Sequence, residues 1–403
     1  MKYRSLPKTG EMLSVLGFGL MRLPGKDLNS IDTARAKAIV DMGIDGGINV
    51  LDAAYTYGKT EHFAGEHILP YREPHTVKVA GKLPLHRFHS ADGYNACLSE
   101  ELRRYRLDSI DFYLLHMVNI ESFQKAVERG VLAFLDGALA DGRIRHAAVS
   151  IHDNGENVIK IIDAYDKWSY VQLQYNIIDA SPDIEKAMDY ALSKRIGVFV
   201  MEPLLGGFLA SNLPPSMQKI IDGAPVKRSI ADWAFRFAYS HPSVVCVLSG
   251  MSDEAQVAEN LQLADQAQIG CFTEGDNAVY ASLRKAYEDL KLIGCTGCRY
   301  CMPCPAGIDI PFTLKCLNVG LGLGEMEHTS FSYSAAVSAV GTRNDRWAKN
   351  CTQCGACEKI CPQRLPVRSA IKKAADIFEQ DTDAVIEHYK KLDANIVQDS
   401  VTR

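Results

Sequence analysis

The sequence predicts an α/β protein in two parts, a (β/α)8 barrel of the TIM type over residues 1–270 and a smaller, mainly α-helical, cysteine-rich domain after it. Three observations predict this. Eight short apolar runs, each followed by an amphipathic stretch, recur at steady spacing between Val15 and Ala264. The runs are nearly continuous in Val, Ile, Leu and Ala, as expected for parallel strands covered on both faces. Finally, eight of the 12 cysteines fall in two tight clusters near the C-terminus. Residues 271–292 read as a helical connector, 293–380 as the cysteine-rich domain and 381–403 as a C-terminal helix or tail.

Taken in order, Val15–Gly19 precedes a helical stretch from Ile31 to Asp45, and Val50–Ala53 precedes Glu61–Leu69. Val77–Gly81 leads into Asp92–Leu107, Asp111–His116 into Phe123–Ala140, and Arg145–Ser150 into Asn157–Tyr165. Val171–Tyr175 leads into Ile184–Ser193, Val198–Met201 into Lys227–Tyr239, and Val244–Leu248 into Glu254–Ala264. Asp32, Asp183 and Asp253 stand just before three of these helices as expected N-caps. A doubly wound sheet is the alternative arrangement, but it rarely needs eight parallel strands and usually opens on a glycine fingerprint. Gly17-Phe18-Gly19 lacks the third glycine of that fingerprint, and no acidic residue follows at the expected distance. The later glycines Gly320, Gly322 and Gly324 follow no strand and read as a loop.

Composition narrows the class. A hydrophobic fraction of 47% suits a globular protein with a full core. A net charge of -5 argues against nucleic-acid partners. No apolar run approaches the roughly 18 residues of a membrane span. The start of the chain has no apolar core of signal-peptide length, so the expected location is cytoplasmic.

The cysteine runs are Cys295-x2-Cys298-x2-Cys301-x2-Cys304-Pro305 and Cys351-x2-Cys354-x2-Cys357-x3-Cys361-Pro362. Two-residue gaps let thiolates converge on one small inorganic core, and bacterial ferredoxins space their ligands in this way. In those proteins the fourth cysteine of each run ligates the other run's cluster. The expectation is a ferredoxin-like domain binding two [4Fe-4S] clusters. Structural zinc is the nearest rival, but zinc ribbons keep two pairs well apart, whereas here four cysteines crowd together. A disulfide framework needs a small secreted domain. The shorter last gap of the first run makes Cys304 the least regular of the eight. Cys97, Cys246 and Cys271 read as small buried hydrophobes, and Cys316 stays a remote alternative ligand.

In a barrel of this kind, chemistry sits at the C-terminal ends of the strands. There the second strand presents Asp52 and, just beyond it, Tyr57. The third ends at Lys82 and the fourth at His116. Each has an ordinary explanation alone: a turn aspartate, a rim tyrosine, a packed histidine. A lysine ending a buried strand is harder to place, because an unpaired buried ammonium is costly, and Asp52 is the available partner.

These segments resemble the aldo-keto reductases. The resemblance is carried by Leu16-Gly17-Phe18-Gly19, Asp52-Ala-Ala-Tyr-Thr-Tyr57-Gly58, Lys82, Leu114-Leu115-His116, Gly142 to Ser150, Gln172-Leu-Gln-Tyr175-Asn176 and Glu259-Asn260, across about residues 1–270. Residues 290–370 are similar to the ferredoxin-like extension of one branch of that superfamily. The resemblance implies an NAD(P)H-dependent oxidoreductase that reduces a carbonyl to an alcohol, or the reverse. Tyr57 would protonate the developing alkoxide, and an ammonium on Lys82 is expected to lower the phenol pKa. Asp52 would orient Lys82, and His116 would bind the carbonyl oxygen. Ser150 and Gln172 match positions that hold the nicotinamide carboxamide. Met201 stands where many members stack an aromatic ring, while Gly19 and Met21 line the same mouth. Glu259 and Asn260 match adenine-binding positions.

Gly250 and Gln256 occupy places where NADPH-preferring members often carry Lys or Arg. Backbone amides and Ser252 remain as phosphate donors, so NADP(H) is favoured slightly over NAD(H). Met21, Met117, Trp168 and Phe208 are apolar candidates for the substrate pocket that core or rim packing equally explains. The expected partner is a small carbonyl or alcohol substrate. The clusters are read either as structural, pinning a lid, or as a conduit to a ferredoxin-like redox partner. A flavin-dependent enoate reductase and a ferredoxin module on an inactive barrel are the alternatives. Substrate and oligomeric state are not legible.

Overall fold

The computed structural model describes residues 1–26, 28–85, 87–204, 207–211, 213–290, 293, 295, 301–323, 329–330, 333–334, 337, 346–361 and 365–380. The chain divides into two compact units, Met1–Ser211 with Ile220–Ala281, and Asn212–Lys219 with Ser282–Arg403.

The first unit is a closed barrel preceded by a two-stranded hairpin, β1 (Tyr3–Ser5) and β2 (Met12–Ser14). The barrel strands are β3 (Leu16–Gly19), β4 (Val50–Asp52), β5 (Lys78–Pro84), β6 (Ile110–Val118), β7 (Ile144–Ile151), β8 (Trp168–Gln174), β9 (Gly197–Met201) and β10 (Val244–Ser249). All pair in parallel, and β10 closes against β3. Each coincides with one of the eight apolar runs, so the (β/α)8 expectation holds. The interior is filled by Val50, Ala80, Phe112, Ala148, Tyr170, Phe199 and their neighbours. Tyr170 and Phe199 stack with centroids 3.8 Å apart.

The hairpin had no counterpart in the sequence reading. Its flanking Leu6 and its own Leu13 join the barrel-interior cluster, and Arg4 donates to the carbonyls of Tyr239 and Val244 before and at the start of β10. Gly197 opens β9 without a side chain, since a Cβ there would lie 2.6 Å from Leu6 Cδ1. The hairpin therefore seals the N-terminal end and leaves the opposite end for chemistry.

Two helix expectations are corrected. Asp183 is not an N-cap: Ser181 caps the helix Pro182–Ser193, and Asp183 instead accepts from Gly155 N–H, in the first turn of the helix Gly155–Asp163. Asp32 and Asp253 do cap their helices. The stretch expected as one helix from Phe123 to Ala140 is two, Ile120–Glu128 and Val131–Ala140, because Gly130 takes a left-handed φ of 81° between them.

The second unit packs the helices Ile310–Leu323 and Val367–Phe378 around Ile308, Leu314, Leu317, Trp347, Ile371 and Phe378. Glu379 is buried and accepts from Tyr333 OH, from Ala348 N–H at 2.6 Å and from Lys349 N–H at 2.9 Å. Those amides open the turn Ala348–Asn350 that leads directly into Cys351. The second cysteine run is thus tied to the core by a carboxylate that satisfies otherwise orphaned donors. Among the described residues no helix is long and apolar enough to cross a membrane.

Candidate active site

β4 ends at Asp52 and the chain turns outward through Tyr55 and Tyr57, while the neighbouring β5 carries Lys82 and β6 carries His116. These adjacent strands bring the four residues together. Lys82 is fully buried, and its Nζ donates to Asp52 Oδ1 at 2.5 Å. The ammonium lies 5.1 Å from the centroid of the Tyr57 ring and interacts electrostatically with the Tyr57 hydroxyl. Tyr57 as a whole side chain is half-buried, with its phenol oxygen at the buried end beside Lys82. His116 meets Tyr57 edge to face, with centroids 5.7 Å apart.

His116 owes its placement to a local irregularity. The register of β6 on β7 shifts between Leu115 and Val118, and the intervening Met117 takes a left-handed φ of 55°. Such a bulge re-aims a side chain at a strand end, and a non-glycine residue held in this region marks a constrained site.

Electrostatics agree with the expectation about the lysine and add the effect of burial at the tyrosine. Burial pulls the Lys82 ammonium down, but Asp52 and Tyr57 outweigh it, so its pKa is raised and the side chain stays charged. Burial likewise pushes the Asp52 carboxyl up against the pull of Lys82. Lys82 lowers the Tyr57 phenol in the expected direction, yet the phenol as a whole is raised above its ordinary value. Burial dominates, Lys82 opposes it, and Asp52 and Glu202 add to it. The ammonium's charge is already committed to Asp52, which leaves less to stabilise a phenolate. Glu202 was missed in the sequence. It follows Met201 at the end of β9 with a left-handed φ of 54°.

Around this centre the proposed cofactor residues form two groups. Ser150 Oγ and Gln172 Nε2 approach Met201 Sδ at 3.9 and 3.7 Å. Gln172 Oε1 is buried and has no partner among the described residues. A primary amide such as a nicotinamide carboxamide offers the donor this acceptor lacks, so the residues fit the group. Gly19 lies beside the Gly250 backbone, with an added Cβ 3.6 Å from Gly250 N. Met21 is half-buried in the turn Leu20–Arg22 that follows Gly19. Asn260 is buried and donates to Ser249 Oγ at 3.0 Å.

The phosphate expectation fits less well. Gln256 folds back so that its Oε1 accepts from Ser252 N–H at 2.9 Å, and Asp253 accepts from Gln256 N–H at 2.9 Å. The Ser252 and Gln256 amides at this helix terminus are already used, and an aspartate sits among them. Glu259 is exposed and accepts from Ser229 at 2.6 Å, which turns it away from Asn260. A basic side chain does lie next to Gly250. Arg22 packs along Gly250, where an added Cβ would meet its chain at 3.1 Å, and it has no ion pair among the described residues. An arginine three residues beyond Gly19 was the available signal. Trp168 is fully buried at the start of β8 with its indole on Ile161 O, so it is core. Met117 is exposed, and the Phe208 side chain lies outside the described residues.

In the second unit, Cys301, Cys304, Cys351, Cys354 and Cys357 line one cleft together with Arg368. Among the described residues no three metal-binding side chains converge closely enough to hold a single ion. Cys301 and Cys304 of the first run thus share one cleft with the first three cysteines of the second run. Cys295 and Cys361 are half-buried, whereas Cys298 and Pro362 lie outside the described residues. Cys97 and Cys246 are buried, as expected of small hydrophobes, and Cys271 is half-buried. Cys316 sits in the hydrophobic core, where burial pushes its thiol up to about 12, a poor ligand state.

Comparison with known proteins agrees with this geometry. Residues 15–271 match the aldo/keto reductase family and residues 294–365 match a 4Fe-4S dicluster domain. The chain is 24% identical to a 6-dehydroglucose reductase of Novosphingobium aromaticivorans over 64% of its length and 89% of that protein's. It is also 24% identical to an L-galactose dehydrogenase of Arabidopsis thaliana, over 64% of this chain and 86% of the relative. A 29-residue segment is 59% identical to the alpha subunit of an acetyl-CoA decarbonylase/synthase complex of Methanothermobacter thermautotrophicus, covering 7% of this chain and 4% of that one. Among solved structures, the holo form of the aldo-keto reductase AKR11C1 from Bacillus halodurans superposes with a TM-score of 0.58 at 25% identity, covering 70% of this chain and 96% of its own. An aldo-keto reductase from Klebsiella pneumoniae, solved with NADPH, gives 0.56 at 20% identity over 70% of this chain and 95% of its own. The chain belongs to the aldo/keto reductase family and carries a C-terminal 4Fe-4S dicluster domain.

Proposed function

We propose that the barrel interconverts a carbonyl and an alcohol with a nicotinamide dinucleotide, with Tyr57 as the acid in the direction of reduction. The observation that carries this reading is the fully buried Lys82, paired with Asp52 at 2.5 Å and lying 5.1 Å from the Tyr57 ring centroid at the barrel mouth. A buried ammonium is costly to keep, so its retention points to chemistry. Bound nicotinamide supplies a hydride to the carbonyl carbon. Tyr57 gives its phenol proton to the carbonyl oxygen; the hydride, with its electron pair, and this proton together account for the alcohol, and the phenolate left on Tyr57 regains its proton from solvent. His116 hydrogen-bonds the same oxygen and sets its approach. Gln172 and Ser150 hold the carboxamide edge of the cofactor, and Met201 covers its ring.

Arg22 is the residue that favours NADPH over NADH, since its aliphatic chain lies along Gly250 and its guanidinium has no ion pair among the described residues. Two relatives are named for sugar-derived substrates, so hydroxylated carbonyls are the first class to test. The second unit holds two [4Fe-4S] clusters on the eight cysteines of its two runs. Their role is structural in this reading, because Cys301, Cys304, Cys351 and Cys357 pack against the unit's own core. Turnover of a panel of aldoses, ketoses and simpler carbonyls by wild type and Tyr57→Phe tests the proposal. Equal rates in the two proteins remove the catalytic assignment. Anaerobic reduction of the clusters by NADPH would replace the structural reading with the conduit.

A further inference from the structure

β5 continues to Pro84, but its pairing with β4 ends at Ala80, opposite Asp52. The neighbouring chain has by then turned away to carry Tyr57. The Lys82 amide lies beyond that last pair, and a carboxyl supplies its acceptor: Lys82 N–H donates to Glu101 Oε1 at 2.8 Å. Glu101 is fully buried on the helix Ala91–Tyr105. Its Oε2 accepts from Tyr113 OH at 2.6 Å and from the Cys97 thiol at 3.6 Å. Gly81 leaves it room, since a Cβ there would sit 3.2 Å from Glu101 Oε1.

A second fully buried acid, Glu61, interacts electrostatically with Glu101, and its Oε1 is buried with no hydrogen-bond partner among the described residues. Glu61 Oε2 pairs with Arg104 at 3.0 Å. Arg104 Nη1 also donates to the Tyr55 carbonyl at 3.2 Å, and the guanidinium stacks 4.2 Å from the Tyr55 ring centroid. Tyr55 stands two residues before Tyr57 in the same loop. The chain of contacts thus runs from the lysine's backbone, through two acids and an arginine, to the loop that carries the tyrosine.

We propose that Glu101 and Glu61 form a positioning pair in which Glu101 fixes the backbone of Lys82, Glu61 fixes the Tyr55–Tyr57 loop through Arg104, and the electrostatic interaction between the acids holds the two in register. Neither acid touches a reacting atom. Two neighbouring buried acids do not both ionise, so one retains its proton. Burial, then the neighbouring Glu61 charge, pushes the Glu101 carboxyl up, which keeps that proton in place. The other titratable groups facing Glu101 are Cys97, Tyr105, Tyr113 and Arg104. Tyr105 and Tyr113 are pushed well up and stay neutral, and so is the Cys97 thiol.

The proposal rests on the Tyr57 reading, so its test includes a readout that needs no turnover. Glu101→Gln keeps an acceptor for Lys82 N–H and a neutral polar group beside Glu61, whereas Glu101→Leu removes both. Glu101→Gln is expected to stay within about threefold of the wild-type kcat, and Glu101→Leu to lose about 10- to 100-fold with little change in carbonyl KM, the scale of a small misplacement. The phenolate titration of Tyr57, read by ultraviolet absorbance as wild type minus Tyr57→Phe, should move further up in Glu101→Leu and stay in Glu101→Gln. A folded Glu101→Leu with wild-type kcat and titration would overturn the proposal, as would a Glu101→Gln that falls equally far. If Glu101→Leu does not fold, Gly81→Ala displaces the carboxyl without changing it, and a wild-type titration there has the same force. Absence of any carbonyl turnover in wild type would sink the Tyr57 reading while leaving the titration to judge the positioning pair.

Discussion

Replacing Asp52 by Asn leaves the Lys82 ammonium in a fully buried position without its carboxylate. At 2.5 Å the gross attraction is about 7 kcal/mol for an effective dielectric constant near 20. Desolvation offsets much of this, and removing one partner of a buried pair costs about 3–5 kcal/mol in stability. The side chain has one escape, which is to lose its proton. From an ordinary pKa of about 10.4, neutralising a lysine at pH 7 costs about 4.6 kcal/mol. The two routes are close, so the expected loss at pH 7 is about 4 kcal/mol, capped by deprotonation. The sign of the pH dependence follows. In wild type the folded Lys82 pKa is raised, and its stabilisation persists through neutral pH. In Asp52→Asn the folded pKa is depressed below the unfolded value, so stability is lost as pH falls and recovered as it rises. The gap to wild type should close by roughly 1.4 kcal/mol per pH unit between neutrality and about pH 10. Urea unfolding of both full-length proteins, followed by circular dichroism at several pH values, reads this directly. A gap below about 1 kcal/mol at pH 7, or one that does not change with pH, would refute the view that Asp52 keeps Lys82 charged.

Other expectations follow from the same structure. Because burial raises the Tyr57 phenol above its ordinary value of 10.0, carbonyl reduction should stay level through neutral pH and fall only above that value; a decline near pH 7 to 8 in kcat/KM would contradict it. Arg22→Ala should raise the KM for NADPH by about tenfold or more, consistent with loss of about 1.5–3 kcal/mol from a charged hydrogen bond, and leave the KM for NADH nearly unchanged. Cys304→Ser should lower iron from about eight to about four atoms per chain, whereas Cys316→Ala should keep the full content; iron and sulfide analysis after anaerobic purification distinguishes them.

The barrel was legible because each of its strands is buried on both faces and reads as an apolar run, with a helix period between them. The hairpin was not, since three-residue strands such as Tyr3–Ser5 carry too short a pattern, and its role depends on Leu6 and Leu13 entering a core built from distant segments. The four site residues were legible because a lysine at the end of a buried strand demands a partner. Their electrostatics were not, because the balance at Tyr57 depends on how deep its oxygen lies and on Glu202, which the sequence separates by most of the barrel. Glu61 and Glu101 escaped notice for a similar reason. Acids on helices read as a solvated face, and only the tertiary fold turns these two inward against Arg104 and Lys82. Asp183 shows the same limit at small scale: the spacing suggested a cap, and the helix it serves is the neighbouring one.

The central claim is that Tyr57 supplies the proton that accompanies hydride transfer. Anaerobic single-turnover measurement of nicotinamide oxidation, in wild type and Tyr57→Phe with one turned-over carbonyl, tests it without interference from product release. The account predicts unchanged cofactor binding and a hydride-transfer rate lower by about 10²-fold or more in Tyr57→Phe, the contribution of a positioned general acid. An equal rate in the two proteins would contradict it.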